Sequence, residues 1–477
     1  MRFSSLPFLF GFLPITLAIY FAVPIQWRNL ALLLTSLVFY GWGEPVYLGI
    51  MVLSILIDYT HGLLVERYRS RDKLARWFVA ESVILNLGLL GFFKYWDFFA
   101  ENLSRLPGIT LPALGLPLPI GISFFTFQTM SYTIDVYRRD APAQRDIVAF
   151  GAYVTMFPQL VAGPIVRYRE VAAELKERVN TTADFAAGAG RFTVGLAKKV
   201  LLANSIGALW DAELAAQSAG MLTAFGGWLG IAAYGFQIYF DFSGYSDMAI
   251  GMGRMLGFHF PENFARPYTA ASVTEFWRRW HISLTTWFRE YLYIPLGGSR
   301  RGTARTVRNI FIVWLCTGFW HGASWNFILW GLHFFLWLML EKYLLKDFLQ
   351  RLPRWLRHAY TLLVVFAGWG IFAMEDLSVC GGDFRVLRRR GAVERRRRLL
   401  SQNICRFAGA ADGRLCQYGK GRVGAPAGAG AGGAGPCADA CGTGALHGLS
   451  GRWQLQSVFI FQILKGREAA WRIRAGS

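Results

Sequence analysis

The chain has 477 residues, 54% of them hydrophobic and 16% aromatic, with only 17% charged. Soluble domains carry about 25% charged residues, so this balance excludes an ordinary soluble globule and points to a membrane protein. The formal charge of +20 does not make a nucleic-acid binder of it. Residues 378–477 hold 17 Lys+Arg against 5 Asp+Glu, leaving 33 against 25 for residues 1–377. In a polytopic protein such an excess belongs in cytoplasmic loops.

Taken in order, the opening MRFSSLPFLFGFLPITLAIYFAVP has one early basic residue, Arg2, and no small-residue cleavage site after its apolar run. It predicts a retained first helix, not a signal peptide. Segments 30–42 and 46–59 read as a helix pair punctuated by Gly41, Gly43 and Pro45. Residues 66–76 (ERYRSRDKLAR) form a basic loop expected on the cytoplasmic side. The span 78–99 follows, with Lys94 near its end, where a long basic side chain is expected to snorkel outward.

Residues 103–119 are rich in Pro and Leu and predict a loop or re-entrant segment. A helix then starts at Pro119 and closes at Arg138 and Arg139. The stretch 149–166 contains Pro158 and Pro164, and a span broken this way is tolerated only where it lines protein or a cavity. Residues 167–178 are again charged. Residues 191–206 read as an amphipathic interfacial helix with Lys198 and Lys199 in mid-run. A span over 226–241 leads into FSGYSDMAIGMGRMLGF at 242–258, whose small residues at helical spacing suit close helix approach in lipid. Two more spans are expected at 327–345 and 359–374. Apolar stretches approaching the roughly 20 residues that cross a bilayer recur about ten times before Leu377. The fold class is therefore all-α, a polytopic transmembrane helical bundle with re-entrant and interfacial helices.

From Ser378 the character changes to VCGGDFRVLRRRGAVERRRRLL and, later, GAPAGAGAGGAGPCADACGTG. Cys316 is the one cysteine of six before this point, so no disulfide framework is implied for the main body. Cys437 and Cys441 match no common zinc spacing, and no metal site is expected. One reading of 378–477 is a basic, disordered interaction tail. The favoured one is a reading-frame shift in GC-rich DNA, and on either reading the segment should not pack.

Two histidines carry the chemistry that can be read here. His321 lies 13 residues after Arg308, about 20 Å along a helix from the cytoplasmic interface. Ionisable groups at such depth are costly and usually line a pathway or site; the alternative is a neutral imidazole bonded between helices. His281 belongs to a run in which Trp277, Trp280, Leu284, Trp287 and Tyr291 recur at three-to-four spacing, predicting one amphipathic helix at the cytoplasmic interface. Its other faces carry Arg278, Arg279 and Arg289, which suit an anionic acyl donor such as the phosphates of coenzyme A, or anionic lipid headgroups. Asp241 and Asp247 lie in apolar surroundings and could orient a histidine, pair with a basic residue such as Arg254, or bind a cation. His333 is expected to hydrogen-bond within the bundle, and His61, His259 and His358 fall near span ends. No phosphate loop and no nucleophile elbow is present.

The blocks LPIGISFFTFQTMSYTIDVYR, FPQLVAGPIVRYR, YFDFSGYSDMAIGMGRMLGF, ENFARPYTAASVTEFWRRWHISLTTWFREYLYIPLGG and GFWHGASWNFILWGLH together resemble the membrane-bound O-acyltransferase (MBOAT) family, in its bacterial alginate O-acetyltransferase (AlgI-type) branch. The resemblance covers nearly all of residues 1–377. It implies a multi-pass protein of the bacterial inner membrane, among membrane lipids, that passes acetyl groups from a cytoplasmic donor toward an exported polysaccharide, alginate above all. The family's invariant histidine falls on His321 and its second motif histidine on His281, and periplasmic acetyltransferase partners would complete delivery. Acetyl-CoA or another acetyl thioester is the implied donor substrate, with no tightly bound cofactor and no nucleic-acid partner. Relatives continue with further spans beyond the position of Leu377, which implies a catalytic domain 1–377 cut short in this chain. Other acceptors (cellulose, peptidoglycan, or D-alanyl transfer) and a non-enzymatic transporter are the alternatives.

The frameshift reading has a direct check. Translating the same DNA in its other two frames should recover hydrophobic spans after residue 377; their absence would favour a genuine tail.

Overall fold

The structure, a computed structural model, describes residues 2–374, and every regular element in that range is a helix. The tail expected at 378–477, with its boundary at Leu377, lies outside the described residues. A π-turn at Phe8–Phe12 leads into α1 (Leu13–Ala22), and α2 (Arg28–Gly43) and α3 (Leu48–Arg67) follow. α4 (Asp72–Leu103) has 32 residues, about 48 Å of helix, longer than a bilayer core of roughly 30 Å. After α5 (Ile122–Arg138) the chain breaks as its prolines require, giving α6 (Ile147–Thr155), the single turn α7 (Phe157–Leu160) and α8 (Tyr168–Lys176). α9 (Thr182–Ala197) continues through a π-turn at Lys198–Ala203 into α10 (Asn204–Ser218), and α11 (Ala224–Met255) runs alongside. Two short helices, α12 (Val273–Arg279) and α13 (Ile282–Phe288), precede α14 (Thr303–His321), α15 (Trp325–Tyr343), α16 (Lys346–Arg351) and α17 (Arg354–Ala373).

Among the described residues, four helical stretches are long and apolar enough to cross a membrane: Leu48–Arg67, Asp72–Leu103, Thr182–Ser218 and Arg354–Ala373. The third contains residues 191–206, where an interfacial helix is expected. Lys198 and Lys199 are partly exposed and turn to α11, where Lys198 Nζ meets Asp247 at 2.6 Å and Lys199 Nζ meets Asp241 at 2.6 Å. Arg191 reaches Asp247 as well, at 2.9 Å, while Arg254 pairs with Asp184. Charges paired between helices cost less in an apolar setting than lone ones.

The close approach foreseen for residues 242–258 is realised between α9 and α11. A Cβ on Gly188 would stand 2.5 Å from the carbonyl oxygen of Gly251, and one on Gly244 2.7 Å from that of Gly195. The two backbones therefore touch at two levels, where no side chain fits. Elsewhere one buried polar set is fully interlocked. Asp58 on α3 is fully buried, and it accepts from Ser82 Oγ (2.6 Å) and Asn86 Nδ2 (2.8 and 3.0 Å) on α4 and from Thr133 Oγ1 (3.3 Å) on α5. A carboxyl group placed this way ties three helices together.

The basic segments gather at one end of the bundle. Arg145 meets Glu66, Arg138 Nη2 donates to the Glu290 carbonyl, and Arg167 and Arg169 both pair with the Glu290 carboxylate. At the other end, residues 104–121 carry no helix. They are fastened by Trp96 Nε1 to the Pro112 carbonyl (3.0 Å), Tyr47 OH to the Pro117 carbonyl (2.8 Å), and the amides of Leu114 and Gly115 to Asp97 (2.7 and 3.1 Å).

Replacing Gly188 with Val should separate α9 from α11 and destabilise the protein by about 1–3 kcal/mol or more. Gly88→Ala in α4, where an added Cβ meets nothing within 4 Å, should leave stability unchanged or slightly higher. Thermal unfolding of the detergent-solubilised variants measures both.

Candidate active site

His321 is the last residue of α14, and its ring is framed edge-to-face by Trp320, Trp330 and Phe372 at centroid distances of 5.0, 4.8 and 5.3 Å. The ring is only partly covered and lines two cavities. The first, about 270 Å³, lies under the loop 104–121 and is walled by Phe92, Trp96, Asp97, Leu114 and Ala323 among others. The second, about 400 Å³ and mostly apolar, runs inward past Phe242, Trp280, Trp320, Trp369 and Phe372. Val161 and Ala162, in the chain break after α7, line this second cavity, which is where a broken span is tolerated. His321, Lys94 and Leu118 line both cavities, so the imidazole borders the two.

Lys94 corrects an expectation. It does not snorkel outward; its Nζ turns inward to donate to the Trp320 carbonyl and to Ser123 Oγ at 3.0 Å. Its neighbour Tyr95 donates to the Phe319 carbonyl. The last turn of α14, whose carbonyls have no helical partner, is thereby capped from α4, and an ammonium suits the negative end of the helix dipole.

His281 is not on a continuous surface helix. Trp280 is extended, and His281 itself adopts φ +44°, ψ +55°, splitting the expected helix into α12 and α13. The left-handed conformation is uncommon for a residue with a side chain and persists where its surroundings fix it. The apolar face read from the sequence is real, but it packs into the protein: Trp277 lies against Trp314, Trp330 and Phe334, and Trp287 stacks on Phe127 at 3.8 Å.

What fixes His281 is Asn263, a residue the sequence did not single out. It lies in an irregular stretch and is fully buried. Its Oδ1 is 3.1 Å from His281 Nδ1 and also accepts from Ser283 Oγ (2.9 Å), while its Nδ2 donates to Ser246 Oγ (3.1 Å). An amide oxygen can only accept, so Nδ1 carries the hydrogen and Nε2 carries the lone pair. That Nε2 is buried with no hydrogen-bond partner. An orphaned acceptor in an aromatic setting is costly to maintain and calls for a reason. Phe242 (4.7 Å) and Trp320 (5.8 Å) flank the ring, so Trp320 touches both histidines.

Asn263 also borders a third cavity of about 300 Å³, lined by Arg191, Lys198, Ser243, Asp247, Glu262 and Arg266. Arg278, Arg279 and Arg289 line none of the three cavities. Arg278 and Arg289 are exposed, while Arg279 is held by Glu275 and by Thr269 Oγ1 at 2.7 Å. The structure thus brings His281 and His321 together around Trp320 and leaves the three arginines apart from them. The other histidines are locally bonded: His333 to the Val364 carbonyl (3.0 Å), His358 to that of Ala270 (3.1 Å), His61 to that of Ile57 (2.6 Å), and His259 to Glu174 (2.7 Å). Among the described residues no cluster of His, Cys, Asp and Glu could hold a metal ion.

Comparison with known proteins agrees with this geometry. Residues 53–381 match the model of the membrane-bound O-acyltransferase family. A probable alginate O-acetylase AlgI of Azotobacter vinelandii is 45% identical over 386 residues, covering 80% of this chain and 76% of the relative. The corresponding protein of Pseudomonas aeruginosa is 43% identical over 387 residues, or 80% and 73% of the two chains. A peptidoglycan O-acetyltransferase of Helicobacter pylori is 35% identical over 412 residues, or 79% and 78%. With its apolar helices and these relatives, the chain is an integral membrane O-acyltransferase and belongs to the membrane-bound O-acyltransferase family.

Proposed function

We propose that this enzyme passes acetyl groups from a thioester donor on the cytoplasmic side across the bacterial inner membrane for O-acetylation of an exported polysaccharide, alginate, with His321 as the general base. One observation supports the assignment: the imidazole lines two cavities, so a donor in one and an acceptor in the other would both reach it. A hydroxyl is a poor nucleophile at neutral pH. A histidine, with an ordinary pKa of about 6.5, takes its proton as the bond forms and typically contributes 100- to 10,000-fold. Alginate is favoured as the acceptor because relatives named for it are more similar to this chain than the peptidoglycan O-acetyltransferase.

His281 supplies the second part of the site. With its tautomer set by Asn263, its free Nε2 is an acceptor for a hydrogen bond from donor or acceptor substrate as it enters. Acetyl-CoA fits as the donor, its phosphates held outside the cavities by the exposed Arg278 and Arg289 with Arg279 beside them. Periplasmic acetyltransferases then complete delivery from the outer cavity to the polymer.

Replacing His321 with Ala should lower the acetyl content of the exported polysaccharide by about 100-fold or more, with the variant inserted at normal levels. Near-normal acetylation would refute the role. Asn263→Ala leaves the Nδ1–H of His281 unpaired and should cost about 1–3 kcal/mol of stability, read as a lower melting temperature. It should also weaken acetylation at matched protein amount. Triple replacement of Arg278, Arg279 and Arg289 by Gln should raise the KM for acetyl-CoA in membrane vesicles and leave kcat unchanged.

A further inference from the structure

We propose that Lys94 is a second catalytic group of this site, its ammonium holding the negative charge that develops on the carbonyl oxygen of the acyl donor. The proposal rests on the assignment of His321 as the base. Lys94 and His321 are two of the three residues that line both cavities, so cation and imidazole border the space a reacting carbonyl would enter. The ammonium has three N–H groups. One goes to the Trp320 carbonyl and one to Ser123 Oγ at 3.0 Å, leaving a third for a ligand there.

The charge has two aromatic rings near it, Tyr95 and Trp320, each 5.8 Å from Nζ, but no counter-ion. Among the described residues no carboxylate forms an ion pair with Lys94, and Asp97, nearly one turn further along α4, has both oxygens taken by the amides of Leu114 and Gly115. Capping the end of α14 does not require a cation either. Tyr95 does the same for the Phe319 carbonyl with a neutral hydroxyl. An unneutralised ammonium at membrane depth is costly and marks a pathway or site. Its effect on a transient anion is correspondingly large, because water is largely excluded there.

The step balances without any further reactant. The acceptor hydroxyl gives its proton to His321 as its oxygen bonds to the carbonyl carbon, and the carbonyl π pair moves onto oxygen as an alkoxide facing Lys94. When that pair returns, the carbon–sulfur bond breaks and the leaving thiolate takes the proton back from His321. Lys94 keeps its three protons throughout.

Lys94→Gln retains a hydrogen-bond donor for α14 and removes the charge; Lys94→Arg retains the charge. Each is expressed as the full chain in cells lacking the native copy, and the O-acetyl content of the exported polysaccharide is measured at equal amounts of membrane-inserted protein. Lys94→Gln should lower acetylation about 100-fold or more, and Lys94→Arg should keep a clearly larger share. Equal activity of Lys94→Gln and the parent protein would overturn the proposal, as would equal losses in the Gln and Arg variants. Should Lys94→Gln fail to accumulate, Lys94→Met is judged by the same two outcomes. His321→Ala run alongside separates the two claims. If it is inactive while Lys94→Gln is active, the oxyanion role alone falls; if it is active, the base assignment falls first.

Discussion

Inside a bilayer a polar group must find its partner within the protein, since water is not there to supply one. Much of this molecule's internal order follows from that constraint. Asp247 holds α9 against α11 through Arg191 and Lys198, and Asp58 gathers α3, α4 and α5. The close backbone contact at Gly188 and Gly251 then fixes how far α9 and α11 can move. Against that background two groups matter near the cavities. His281 Nε2 has no partner, and the Lys94 ammonium has no counter-charge among the described residues. Both converge on the last turn of α14.

That turn gathers three functions in consecutive residues. The Phe319 and Trp320 carbonyls receive Tyr95 and Lys94, the Trp320 ring packs against His281, and His321 faces the two cavities. A helix end is a natural place for such a convergence. Its backbone acceptors are open, and the chain leaves it freely into Gly322 and Ala323. α4 supplies the caps from one side and Asn263 steadies His281 from the other, so the geometry does not depend on a single contact.

A good part of this was legible in the sequence. The broken helix at 149–166 was announced by two prolines, and the α9–α11 contact by glycines at helical spacing. His321 was marked out by its distance from Arg308. The apolar face of 277–291 was also correct, but periodicity could not reveal that His281 takes a left-handed conformation and splits the helix, because that conformation is imposed by Asn263 from 18 residues away. Asn263 itself left no signal: one amide in an irregular stretch has no period. Lys94 differs from its reading for a physical reason. A long basic side chain in an apolar helix reads as outward-reaching, and only the position of its acceptor, here a backbone carbonyl on another helix, decides that it points inward.

The irregular segment 104–121 has a different standing from the helices beneath it. It roofs the outer cavity with Leu114, Leu116 and Leu118, yet it is fastened mainly by backbone atoms to Trp96, Asp97 and Tyr47. Attachment through main-chain groups leaves most of its side chains free of any structural duty. Evolution can therefore redraw the rim of this cavity residue by residue while the scaffold stays intact.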